Sequence, residues 1–288
     1  MRPDTIVEAA QARLLQALRA LGGRERAEQE KRYQKSRWEH WGVPLPGMDV
    51  AIKEALGDLT QQRALELCRR LWREPVWDLK IVAGRILARK SIEPDARVWR
   101  FVTERLADLD GWAVADNLAG VASRCLIEDP SRLDAVEAWI ENPHLWMRRA
   151  ALVFTLPWAK ERRDPERMLG WAVLLAEDRQ WFIQKAVGWW LRELSKRDPK
   201  RVRRFLKDHG EKLTGVARRE AMKYLTATSR LQERRRRASK DVPSDGAVRR
   251  ALDRPSRPPR GASARGRVRG ADDRPRKLRI RRQSRARG

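Results

Sequence analysis

The feature that most restricts this chain is an almost unbroken run of short amphipathic helical patterns. Apolar residues recur at helical spacing near 48–57, 60–73, 77–90, 94–107, 111–127, 130–141, 144–157, 164–177, 179–197, 198–208 and 211–228. The breaks fall at Asp58, Glu74-Pro75, Pro94, Asp129-Pro130, Pro143, Asp164-Pro165 and Asp198-Pro199. An acid that can cap a helix, or a proline that cannot continue one, stands at each. No stretch alternates with the strand period between hairpin turns. Short helices joined this tightly predict an all-α chain.

Two helices in about 35–40 residues is the period of HEAT-type repeats, so the expected architecture is a HEAT-like α-solenoid whose concave face binds a partner. Upstream, Pro3 marks a helix start, and Ile6, Ala9, Ala12, Leu15 and Leu18 predict a first helix that stops near Gly22-Gly23. A strongly charged second helix is expected over Arg24–Arg37. It leads into a loop at Trp38-Glu39-His40-Trp41-Gly42-Val43-Pro44-Leu45-Pro46-Gly47.

Charge divides the chain. The formal net charge of +26 is uneven: residues 230–288 hold 22 Lys/Arg against 6 Asp/Glu, and the first 229 hold 43 against 33. All 13 Trp precede residue 191. A repeat domain over 1–229 and a disordered Arg-rich tail over 230–288 are therefore expected. The tail reads as a polyanion-binding arm or as a solvated segment with no dedicated role. A basic excess of this size favours nucleic acid or an anionic membrane. No apolar run of about 18 residues exists to span a bilayer, and the helices leave no wide apolar face for lipid, so no membrane partner is expected. The N-terminus reads as a charged amphipathic pattern without a signal-peptide apolar stretch, so a location in the cytosol or nucleoid is expected. Cys68 and Cys125 stand apart from each other and from the three His, so buried reduced thiols are expected, with no metal site and no cofactor.

Three segments could carry chemistry. In 181–196, Ile183, Val187, Trp190, Leu191 and Leu194 mark a buried face, and Lys185, Trp189, Arg192 and Lys196 form a second, basic stripe. An indole among cations suits a negatively charged, stackable partner; the alternative is a core Trp at the edge of the helix. In 111–127, Val114, Leu118, Val121 and Cys125 form the core stripe. Trp112, Asp116, Ala119, Gly120 and Ser123 share another face, where small side chains permit close approach. An Asp in a helix interior is unfavourable unless paired or functional, and an ordinary salt bridge is the plainer reading. The third is Leu145-Trp146-Met147-Arg148-Arg149-Ala150-Ala151. Trp112 to Arg149 is 37 residues and Arg149 to Trp189 is 40, so the three segments could take equivalent places in successive repeats.

Trp146-Met147-Arg148-Arg149-Ala150-Ala151 and Phe182-Ile183-Gln184-Lys185-Ala186-Val187-Gly188-Trp189, continuing through Leu191-Arg192-Glu193, resemble the AlkD family of HEAT-like DNA glycosylases. Tyr33 with Lys35, then Trp41-Gly42-Val43 and Pro46, is similar to the family's N-terminal pattern, and Trp112 one turn before Asp116 also matches. The resemblance spans roughly 25–228. It implies Asp116 as the catalytic carboxylate and Trp112 and Trp189 as the aromatic faces around the lesion. It further implies Arg149 and Arg192 at the DNA backbone, with Arg148, Lys185, Tyr33 and Lys35 as further DNA-binding candidates. Arg149 is preferred over Arg148 because Ala150-Ala151 follows it. Gly111 departs from the pattern, standing where members can have a second Trp, and the tail has no counterpart in it.

The implied activity is a monofunctional glycosylase, working as a monomer on duplex DNA that contains cationic alkylated purines such as 3-methyladenine and 7-methylguanine. Alkylation makes the base a good leaving group, so what remains is to stabilise charge developing on the sugar and to place water, which a carboxylate can do. The resemblance implies that the lesion stays in the duplex rather than being extruded. A non-catalytic DNA-binding scaffold on the same solenoid is the alternative.

Overall fold

Asp4 starts the first helix by accepting the backbone N–H groups of Ile6 and Val7 at 3.0 and 3.4 Å. The same device recurs: Thr60, Asp95 and Asp198 accept first-turn N–H groups of the helices they precede. The computed structural model describes residues 4–57 and 59–226, so Pro3, Asp58 and the expected tail lie outside the described residues. The helices are α1 (Thr5–Leu21), α2 (Arg24–Gln34), α3 (Leu45–Leu56), α4 (Gln61–Arg73), α5 (Trp77–Leu87), α6 (Ala96–Thr103) and α7 (Trp112–Glu128). They continue as α8 (Leu133–Glu137), α9 (Leu145–Val153), α10 (Leu156–Lys160), α11 (Glu166–Leu174), α12 (Trp181–Ser195) and α13 (Pro199–His209). A last helix, α14, covers 215–226. Among the described residues no strand forms; Glu39 and Val76 make an isolated bridge.

Several helices are shorter than the sequence pattern suggests. The second was expected to reach Arg37 but ends at Gln34, where Lys35 takes the left-handed conformation at φ 51°. The loop expected through Gly47 stops at Pro44, and Pro46 sits in the first turn of α3, where a missing N–H leaves no bond unmade. The single helix expected over 144–157 is two. Thr155 donates its hydroxyl to the carbonyls of Ala151 and Leu152, and Pro157 begins the next turn. Patterns at 94–107, 130–141 and 164–177 each resolve into a short α-helix with a 3-10 turn beside it, at Leu106–Asp108, Pro130–Arg132 and Leu175–Glu177.

The helices stack in two layers. One holds α1, α4, α6, α11 and α13; the other holds α3, α5, α7, α9 and α12, each packed on its predecessor and on a first-layer partner. The chain is an all-α HEAT-like repeat. Second-layer helices start at Trp77, Trp112, Leu145 and Trp181, about 35 residues apart, as stacking of equivalent units requires, and α14 continues the interval at residue 215. One continuous apolar core joins the layers, with Trp171, Trp190, Phe101, Phe154 and Phe205 among its largest fully buried side chains. Cys68 and Cys125 lie within it as free thiols, and burial pushes the Cys125 thiol up to about 11.

Much of the basic content of the repeats serves the fold. Arg124 donates to the carbonyls of Ala88, Arg89 and Ile92 at the end of α5, Arg132 to Cys125 and Pro94, and Arg163 to Ile127. Each ties orphan carbonyls of one helix end to another element. Two further anchors fix the N-terminal turn. The buried Asp78 carboxylate accepts the N–H groups of Trp41 and Val43 at 2.8 and 2.9 Å. Gly42 adopts φ +70°, with a β-carbon position only 2.5 Å from the Ala27 nitrogen and the Gly23 oxygen, so no other residue fits.

Candidate active site

Three successive second-layer helices meet at one carboxylate. Asp116 lies one turn into α7; Arg149 of α9 donates from Nη2 to its Oδ1 at 3.1 Å and Oδ2 at 3.0 Å, and from Nη1 to the Phe182 carbonyl at 3.0 Å. The Arg149 side chain is 4% exposed, and Asp116 keeps 23%. Burial raises the Asp116 carboxyl above the ordinary aspartate range, against the opposing pull of the Arg149 charge and hydrogen bond. The carboxylate is thus held from behind and open in front.

In front of it runs a cleft of about 600 Å³, bounded by Asp116 and Trp189 and floored by Ala119, Gly120 and Ser123 of α7 with Val153 and Leu156 opposite. The small α7 face is what makes the cleft. Ser123 turns its hydroxyl to the Phe154 carbonyl at 2.8 Å, so the floor presents little free polarity. On α12, Ile183, Val187, Trp190, Leu191 and Leu194 are all buried, and Trp189 is half-buried at the cleft.

The other candidates divide. Trp112 does not line the cleft; it meets Tyr33 edge-on, with ring centroids 6.2 Å apart, while Tyr33 is 73% exposed. Lys35 is exposed at the end of α2. Gly111, the departure from the family pattern, caps α7 in an extended conformation and faces the Gln34 side chain. Arg149 was expected at the DNA backbone, and in the free chain it is turned inward onto Asp116. Arg148 is held by Asp178 at 2.9 Å and by the carbonyls of Asn142 and Pro143. Of the two arginines, Arg149 is the one that meets Asp116. Lys185 and Arg192 both pair with Glu220 of α14, Lys185 at 2.7 Å.

Two features escaped the sequence reading. Glu220 falls on the apolar stripe of α14 between the buried Ala217 and Ala221, and a charge on such a stripe is the signal that could have exposed it. Trp77, Trp112, Trp146 and Trp181 recur in the first turns of four successive second-layer helices. Their even spacing was visible in the sequence. Among the described residues no group of three or more His, Cys, Asp or Glu is placed to hold a metal ion, and no helix is long and apolar enough to cross a membrane.

A helical repeat with an acid and an indole facing a shared cleft defines the class. The sequence profile of the DNA alkylation repair enzymes matches residues 14–225, and the chain belongs to that family. The fold is similar to that of a predicted DNA alkylation repair enzyme from Enterococcus faecalis, with TM-score 0.60, 23% identity, and coverage of 71% of this chain and 96% of that one. It is also similar to the crystal structure of AlkD2 from Streptococcus mutans, with TM-score 0.53, 18% identity, and coverage of 76% and 98%. No curated protein sequence matches the chain.

Proposed function

We propose that this DNA alkylation repair enzyme is a monofunctional glycosylase that hydrolyses the N-glycosidic bond of cationic N3- or N7-alkylated purines in duplex DNA. It would act as a monomer in the cytosol or nucleoid, with the lesion kept in the stack. The observation that carries this is the Asp116 carboxylate, immobilised by Arg149 and facing a cleft beside Trp189. A fixed anion stabilises the cationic sugar that develops as the bond breaks, without reorganising during the reaction. It also accepts a hydrogen bond from the attacking water and so orients it. Trp189 offers an indole face at the cleft that favours a cationic base over a neutral one, while Trp112, engaged by Tyr33 outside the cleft, would contribute only from its rim. An already cationic base leaves without a proton, which agrees with a carboxylate paired to a cation rather than to a second acid.

One observation favours the non-catalytic scaffold: the Asp116–Arg149 pair is also what an ordinary structural ion pair looks like. Base release from duplex DNA carrying 7-methylguanine, by wild type beside Asp116→Asn, separates the two. Release by wild type, reduced about 100-fold or more in the variant with duplex binding kept, is expected for a charge that acts on the transition state. Equal release by both removes Asp116 from the mechanism. Release by neither, with tight binding intact, selects the scaffold.

A further inference from the structure

Glu220 brings three cations to one buried carboxylate. Its side chain is 4% exposed and pairs with Lys185 at 2.7 Å, with Lys223 at 2.9 Å and with the guanidinium of Arg192. Lys185 and Arg192 flank Trp189 on one face of α12, and their side chains stay 36% and 25% exposed. Each is therefore held on its inner side and keeps an exposed outer side, which Arg192 shares with Glu193 at 3.6 Å. The approach that permits this depends on Gly188. A β-carbon there would stand 2.6 Å from the Glu220 β-carbon and 2.7 Å from the Ala217 carbonyl oxygen, so α14 packs directly against the α12 backbone. The glycine in the Trp189 motif and the carboxylate in α14 are two halves of one contact.

We propose that Glu220 is a positioning and specificity-setting residue: an internal carboxylate that holds Lys185 and Arg192 side by side and partly neutralises them toward DNA phosphates. This rests on the reading of α12 as facing DNA. A cation paired to a buried carboxylate is weakly screened from it and loses part of its attraction for any other anion. Three cations on one carboxylate still leave a surplus of positive charge, so phosphate is attracted. Generic duplex is gripped less strongly than by free cations. The bond to Glu220 also fixes where the two heads point, which rewards a duplex seated against Trp189 and Asp116 over one that is not.

The test is binding of a short duplex, with and without one 7-methylguanine, as a function of salt, using the full chain. Glu220→Gln removes the buried negative charge behind the two cations that would meet the phosphates. Its affinity for undamaged duplex at low salt should rise about threefold or more, its log–log salt slope should steepen by about one, and its preference for the lesion should fall. Adding Arg192→Ala should cancel most of the gain. Glu220→Asp keeps the charge but shortens the reach, so it should keep the wild-type slope and lose part of the preference, and it keeps the question open to measurement if the Gln variant unfolds. A folded Glu220→Gln with wild-type slope and wild-type preference would overturn the proposal and leave Glu220 a packing residue. Wild type without salt-dependent duplex binding would instead overturn the DNA reading, and this inference with it.

Discussion

The guanidinium of Arg149 reaches from α9 to α7 and donates one nitrogen to both carboxylate oxygens of Asp116, at 3.1 and 3.0 Å. Two neighbouring repeats are thereby joined at the point where α7 presents a partly exposed carboxylate to the cleft. The pair does two things at once. It fixes the direction of the carboxylate, and it opposes the rise in pKa that burial imposes on Asp116.

Replacing Arg149 with Met should show both roles. Removing one partner of a buried pair leaves the other uncompensated, so stability to urea should fall by roughly 2–3 kcal/mol, less than for a fully enclosed pair because water reaches Asp116. The Asp116 pKa should rise further. A carboxylate that must be ionised works above its pKa, so the acid limb of the excision profile should move to higher pH. Because folding already raises this pKa, the contribution of Asp116 to stability is greatest at low pH and declines as pH climbs through the folded value. An acid limb that stays in place in Arg149→Met would show that Asp116 does not set it.

Lys80 supplies a second pH signature, remote from the cleft. Its ammonium donates to the carbonyls of Trp72 and Glu74 at 2.8 and 3.0 Å and lies 3.9 Å from the Trp38 ring centroid. Burial nevertheless outweighs those contacts and lowers its pKa from 10.5 to about 8. Between those values the unfolded chain binds more protons than the folded one, so stability from Lys80 rises with pH across the window. Chemical denaturation from pH 7.5 to 10.5 should show that rise in wild type and its loss in Lys80→Met. A parallel dependence in both proteins would assign the slope elsewhere.

Deleting residues 230–288 removes 22 basic and 6 acidic residues. Duplex affinity should weaken and the salt dependence should flatten, because fewer phosphates are neutralised, while the preference for a lesion is retained. Titrations between 50 and 200 mM salt measure both. An unchanged slope would remove the tail from DNA binding.

How far the sequence could be read depended on whether a property is local. The helix start at Asp198 was legible because a cap and its first turn are neighbours in sequence, and the starts expected near 60 and 94 fell within two residues of those that Thr60 and Asp95 cap. The division of 144–157 was not, since it turns on where the Thr155 hydroxyl bonds. Asp116, Arg149 and Trp189 could be placed on successive helices because the repeat period carries equivalent positions forward. That Arg149 turns inward, that Trp112 meets Tyr33 rather than the cleft, and that Glu220 gathers Lys185 and Arg192 are relations between residues about 30 to 80 apart in sequence, where periodicity gives no orientation.

The sequence by itself determined the all-α repeat, the family, the apolar stripes of 111–127 and 181–196, and the small-residue face beside Asp116, because each is written in local spacing. In α1 the stripe read from the sequence was misplaced: Val7, Ala10, Leu14 and Leu18 are the buried residues, and Ile6, Ala9 and Ala12 are exposed. Only the tertiary structure decided which cations are free. Arginines look alike along the chain, yet Arg124, Arg132 and Arg163 close helix ends, Arg148 and Arg149 pair with acids on neighbouring elements, and Arg192 shares a buried carboxylate. A side chain's charge is a property of its residue, whereas the field it presents to a partner depends on the counter-charges that packing places beside it.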